Sequence, residues 1–267
     1  MAMFGGGNPA LKDDTFQMPY DRAEAITATP TRSDVMTMGG TIWKTFLLLA
    51  ACVAAATFTW NMTTGGTGNP GAWAIGGVLS GFVLYFIIAF KPTLAPFLAP
   101  VYAVGQGLAL GAISAIFEAQ FGSGTAGGMP LNGLVAQAIG LTFGTTAAML
   151  ILYATRIITV GEKFRAVMSI AIGGAFLFYI SSFVLGLFFG IDLDPIANAS
   201  PLSIGISVVL LIVAALTLLL DFDLIERGAA SGAPKYMEWY GAFALLVTLV
   251  WLYIEFLRLL AKLQNRN

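Results

Sequence analysis

Seven apolar runs, each long enough to cross a bilayer, leave this chain almost no choice of fold. They lie near residues 42–61, 71–90, 94–118, 131–155, 165–190, 202–223 and 238–260. A hydrocarbon core of roughly 30 Å is spanned by about 20 residues at 1.5 Å rise each. The runs are continuous rather than alternating, which points to helices and away from barrel strands. With 58% hydrophobic and 10% charged residues in a chain of 267, the remainder is too small for a soluble domain. The expected fold class is an all-α integral membrane protein, a seven-transmembrane-helix bundle over 41–263 with a short carboxy-terminal tail at 264–267.

Residues 1–40 differ from the rest. They carry Gly5, Gly6, Gly7, Pro9 and Pro19 among mixed charges, with no helical period. Such a segment cannot bury enough apolar surface to order itself and reads as a disordered cytoplasmic tail. Cys52 is the only cysteine and there is no histidine. This excludes an intramolecular disulfide, a thiolate metal cluster and the histidine-dependent hydrolytic triads. It also removes the side chain that ordinarily titrates near neutral pH. Neither enzymatic activity, a cofactor, a fixed metal nor a nucleic-acid partner is expected, so any proton chemistry falls to carboxylates.

Lysine and arginine set the orientation, because cytoplasmic connections are enriched in them. Lys12, Arg22, Arg32 and Lys44 precede or open the first run, and 62–70 has none. Lys91 follows the second run, 119–130 has none, and Arg156, Lys163 and Arg165 surround the next turn. The 191–201 connection holds only Asp192 and Asp194, whereas Arg227 and Lys235 occupy the last one. Strict alternation places the amino terminus in the cytoplasm, in what reads as a bacterial inner membrane. Arg258, Lys262 and Arg266 break the pattern. Either the seventh segment crosses fully against the rule, as the uninterrupted stretch 238–263 favours, or it is re-entrant.

Small residues mark places where helices could approach closely: Gly105, Gly107 and Gly111, then Gly140 and Gly144, then Gly173 and Gly174. Pro92, Pro96 and Pro100 open the third run and remove backbone donors there.

Few charges remain inside this apolar frame, and ionisable groups at such depth usually face a cavity or a partner. Asp221 lies near the end of the sixth run, on the side where Lys91 ends the second, so an ion pair between them is topologically possible. Asp223 and Glu226 add negative charge, and Arg227 can neutralise Asp223 at i,i+4. Glu255 lies in the seventh run, where it pairs with Arg258 at i,i+3 or else faces Asp221 inside the bundle. Two such carboxylates in contact could not both ionise cheaply and would share a proton. A straight seventh helix, however, carries Glu255 about 25 Å from Glu238, away from a cytoplasmic-end Asp221. Glu118 closes the third run and reads as an exposed outer-face residue.

The order and spacing of several segments resemble a bacterial member of the Bax-inhibitor (transmembrane Bax inhibitor motif, YccA-like) family. They are Lys91 with Pro100-Val-Tyr102-Ala-Val-Gly105-Gln-Gly107, then Gly140-Leu-Thr-Phe-Gly144-Thr-Thr, Asp221-Phe-Asp-Leu-Ile and Leu252-Tyr-Ile-Glu255-Phe-Leu, covering roughly 42–263. The resemblance implies a bundle with the last helix central and a pH-sensitive calcium leak. It implies that Asp221 and Glu255 form the proton-sharing pair that gates the path, with glutamate where the family carries aspartate. It further implies that Lys91 latches Asp221 in place of a residue that is commonly arginine, more loosely because lysine lacks the bidentate fork.

The leading expectation is therefore a cation leak, with Ca²⁺ passing transiently near Asp221 and Glu255 and the bilayer as its setting. The alternative is a membrane interaction protein that regulates a membrane protease or a stress response, with residues 1–40 as the contact element.

Overall fold

The computed structural model describes residues 35–122, 133–190 and 200–265. The tail expected over 1–40 lies outside the described residues up to residue 34. Among the described residues there is no strand, and seven helices are long and apolar enough to span a membrane. They are α1 (Met38–Thr64), α2 (Pro70–Phe90), α3 (Ala95–Phe121), α4 (Leu134–Ala154), α5 (Glu162–Phe189), α6 (Pro201–Ala230) and α7 (Met237–Asn265). Every expected run is a helix. α1, α6 and α7 reach a turn or more past the expected stretch, because capping and interfacial residues continue the hydrogen-bond ladder beyond the hydrocarbon.

Local chemistry sets the ends. Thr37, Asn69 and Ser200 cap α1, α2 and α6, their side chains accepting from the amides of Gly40, Ala72 and Ser203. Pro70 and Pro201 follow two of these caps, where a missing amide hydrogen costs nothing. The proline series splits in two. Pro92–Leu94 is a short 3₁₀ turn, whereas Pro100 lies inside α3. Gly190 stops α5 with φ 66°, a left-handed conformation that glycine adopts without strain.

The helices run alternately up and down. The bundle end where α1 begins, here the near end, also holds the end of α6 and the start of α7. The far end holds the start of α6 and the end of α7. The seventh segment is one helix of 29 residues that crosses the whole bundle and does not turn back. It packs against α1, α3, α4 and α6. In its most apolar stretch 61% of residues are inside the protein, against 6% for α5, so α7 is central and α5 peripheral.

Close packing follows only part of the expected glycine pattern. A Cβ on Gly107 would collide with the Cys52 carbonyl oxygen, and one on Gly111 with that of Ala56, so α3 lies directly on the α1 backbone. Gly77 and Gly81 of α2 meet Ala109 and Gln106 of α3 in the same way. Gly140, Gly144, Gly173 and Gly174 have open space at the Cβ position. Spacing alone does not distinguish a glycine turned toward a neighbour from one turned toward lipid.

Candidate functional site

Asp221 is 8% exposed and sits nine residues before the near end of α6. The Thr248 hydroxyl of α7 lies beside its carboxylate, whose Oδ2 has no hydrogen-bond partner. The second α6–α7 contact lies toward the far end, where Lys262 Nζ donates to Ser207 Oγ at 2.7 Å and to the Ser203 carbonyl at 3.2 Å. The Asp221–Thr248 and Ser207–Lys262 contacts are about four turns apart on both helices, so α6 and α7 lie antiparallel in a single register.

That register decides the fate of the expected pair. Glu255 lies seven residues beyond Thr248, a rise of about 10 Å along α7. It is 1% exposed, and its Oε1 accepts a hydrogen bond from the Tyr179 hydroxyl of α5. Trp251 Nε1 donates to the same hydroxyl at 3.1 Å, and the Arg258 guanidinium lies 5.9 Å from the Tyr179 ring centre. α6 does extend to Ala230, well past Asp221. The connection to α7 is nevertheless short, and it sets Asp221 opposite Thr248. Asp221 and Glu255 thus occupy two stations at different depths on α7, each with its own partner.

The other two acids of α6, Asp223 and Glu226, are neutralised. Asp223 Oδ2 takes Arg227 at 2.6 Å, the i,i+4 pair read from the sequence, and Arg165 of α5 at 3.1 Å. Glu226 takes the Tyr153 hydroxyl and the Arg156 guanidinium at the end of α4. Lys91 stands exposed as the C-cap of α2 and, among the described residues, has no ion-pair partner. The latch to Asp221 is not formed here, because α2 packs mainly on α3 and its end is not carried to α6. Glu118 is also not simply exposed. Its Oε2 accepts from the Val135 amide at 2.9 Å, tying the end of α3 to the start of α4.

Sequence reasoning passed over two buried groups. Glu238, fully buried at the start of α7, pairs with Lys44 of α1 and with Lys235 at 3.1 Å. It also accepts from the Thr37 amide at 2.9 Å and the Thr37 hydroxyl at 2.8 Å. Lys262 is fully buried as well. The signal for Lys262 was available, since Glu255, Arg258 and Lys262 recur at i, i+3 and i+7 and so share one helical face. For Glu238 only Lys235, three residues earlier, was legible, because Thr37 and Lys44 lie some 200 residues away.

Among the described residues no group of three or more histidine, cysteine, aspartate or glutamate side chains is placed to hold a metal ion. The polar groups of the bundle instead form a broken line along α7: Glu238 at the near end, Thr248 with Asp221, then Glu255, Arg258 and Lys262. No curated protein and no solved structure matches the chain. A family model described as Bax inhibitor 1 like matches residues 8–265, nearly the whole length and all seven helices. With seven apolar helices around a central α7 and a match of that extent, the chain belongs to the Bax inhibitor 1 like family of integral membrane proteins.

Proposed function

We propose that this protein is a cation leak pathway, with Ca²⁺ as its principal ion, whose conductance follows the protonation of Asp221. The observation that carries the reading is the unmatched carboxylate oxygen. Asp221 Oδ2 is buried without a hydrogen bond, whereas Asp223, Glu226 and Glu238 all have cationic partners. A buried oxygen without a donor is costly, and more so as part of an anion. A proton or a passing cation relieves that cost, and both are what a pH-sensitive leak must exchange.

One carboxylate and one hydroxyl are far short of the six to eight oxygens of a resident Ca²⁺ site. They suit a weak binding station through which an ion moves, with water completing its shell. Glu255 serves as a second and separate station about 10 Å further along α7. In this reading the near end faces the cytoplasm of a bacterial inner membrane, as the excess of lysine and arginine there supports. No catalysis is involved.

Ca²⁺ flux into proteoliposomes, followed across neutral and mildly acidic pH, tests this. Asp221→Asn abolishes the pH response, because an amide cannot gain a proton over that range. Glu255→Gln lowers flux but leaves the pH response in place. Wild-type, pH-dependent flux in both variants would falsify the proposal.

A further inference from the structure

The seam between α6 and α7 repeats one pairing of levels. Ser207 faces Lys262 and Asp221 faces Thr248, and two turns closer to the near end the same register sets Gly228 opposite Gly241. Each of these glycines is seven residues from Asp221 or Thr248 on its own helix. It therefore lies on the same helical face, about 10 Å nearer the end of the bundle. At the glycine level neither helix supplies a side chain, so a notch is left in the seam between Asp221 and the near end.

The notch is filled from outside both helices. Met36, which precedes α1, is 4% exposed, and its thioether sits there. A Cβ on Gly228 would lie 2.8 Å from Met36 Sδ and 3.4 Å from its methyl carbon. A Cβ on Gly241 would lie 3.6 Å from the same methyl carbon and 3.0 Å from Ile225 Cγ1. Ile225 is one turn from Asp221 on α6, between that carboxylate and the Met36 level. A side chain on either glycine would take the seat that Met36 occupies.

Two features make this stopper removable. Met36 and Thr37 stand ahead of α1, so they move without bending a membrane-spanning helix. Methionine is unbranched, and its three rotatable bonds let it enter and leave an irregular gap. The ties that hold it are polar and lie at the near end. The Met36 amide donates to the Ala233 carbonyl of the α6–α7 connection at 2.7 Å. The Thr37 amide and hydroxyl donate to the Glu238 carboxylate, which Lys44 and Lys235 hold in turn.

We propose that Met36 and Thr37 form a strap that closes the near-end approach to Asp221, with the Met36 side chain as its stopper. Withdrawal of Met36 from the glycine notch is the opening step. This deepens the reading of Asp221 as an ion station and rests on that reading for what passes once the strap is open. Closure itself is a matter of packing at Gly228, Gly241 and Ile225.

The test measures access to the layer beneath the stopper. Ile225→Cys is placed in the full chain in a Cys52→Ser background, in nanodiscs that leave both membrane faces open to a charged, water-soluble thiol reagent. Mass spectrometry follows the rate of modification. With Met36 in place the thiol should react slowly. Met36→Ala should raise the rate by about tenfold, and Met36→Leu, which refills the notch, should keep it slow. Thr37→Ala loosens the strap without emptying the notch, so it should raise the rate by less and serves if Met36→Ala does not fold. Ala138→Cys, buried near the far end of α4, is the control and should react equally slowly in every background. An unchanged rate at position 225 in folded Met36→Ala overturns the proposal. Equal acceleration at position 138 also overturns it, because the whole bundle would then have loosened. Ca²⁺ flux into proteoliposomes separates the strap from the reading beneath it, and Met36→Ala should raise that flux. Faster modification with no flux in either protein supports the strap and removes the leak. Flux that is present but unaltered by Met36→Ala overturns the strap and leaves the leak.

Discussion

Four acidic side chains in the near half of this bundle show how strongly a carboxylate's role depends on its immediate partners. Asp223 and Glu226 are bound by arginines and act as clasps between α6 and its neighbours α4 and α5. Glu238 is more deeply committed, gathering Lys44, Lys235 and both donors of Thr37 at the point where α1 and α7 begin together. Of these four, Asp221 alone has no cationic partner among the described residues. At Glu238 the packing is also tight, since a Cβ on Gly40 would collide with the carboxylate. Gly40→Ala and Glu238→Ala should therefore each destabilise the protein. The second falls at the low end of the roughly 3–5 kcal/mol for breaking a buried pair, because Lys44 keeps 15% side-chain exposure. The double variant should cost less than the sum by about 0.5–3 kcal/mol, since removing the carboxylate removes the collision. Thermal unfolding of the four proteins in detergent measures this, and strict additivity would show that the two residues do not meet.

At the scale of elements, α5 and α7 are opposites. α7 is surrounded, and α5 is mostly against lipid. What fastens α5 is polar: Arg165 to Asp223 at the near end, and Tyr179 to Glu255 and Trp251 in mid-bundle. A hydrogen bond to a charged group contributes about 1.5–3 kcal/mol. Tyr179→Phe keeps the ring and removes the hydroxyl, so α5 should open locally about 10- to 100-fold more often. Hydrogen exchange measured by peptide would show this as faster exchange in α5 with α7 unchanged. Equal acceleration in both helices would mean that Glu255 supports the core rather than fastening α5. The contrast between glycines belongs to this scale too. Gly107 and Gly111 let α3 rest on α1, whereas Gly140 and Gly144, with the same spacing, have open space where a Cβ would lie.

For the whole molecule, seven helices put the start of α1 and the end of α7 at opposite ends of the bundle, with Arg258 and Lys262 toward the end where α7 finishes. Lys262 explains how this is tolerated. It is fully buried against Ser203 and Ser207, so it acts in the bundle as a packed hydrogen-bond donor rather than as a flanking charge. An impermeant thiol reagent applied to intact cells, with cysteine placed singly at Lys235 or Asn267 in a Cys52→Ser background, checks the arrangement. Position 267 should react from outside, and position 235 only after the membrane is opened. Reaction of both from one side would rule out seven crossings.

The sequence by itself determined the number of helices, their approximate limits, the family resemblance and the local Asp223–Arg227 pair. Each of these depends on hydrophobic length or on spacing within one helix, which are properties of neighbouring residues. Only the tertiary structure decided which helices meet and in what register. It set Asp221 against Thr248 rather than Glu255, left Lys91 apart from both, and joined Glu238 to Lys44. Side-chain partnership between helices depends on rotation and axial shift. One turn of slippage moves a contact by about 5.4 Å, more than the length of a hydrogen bond.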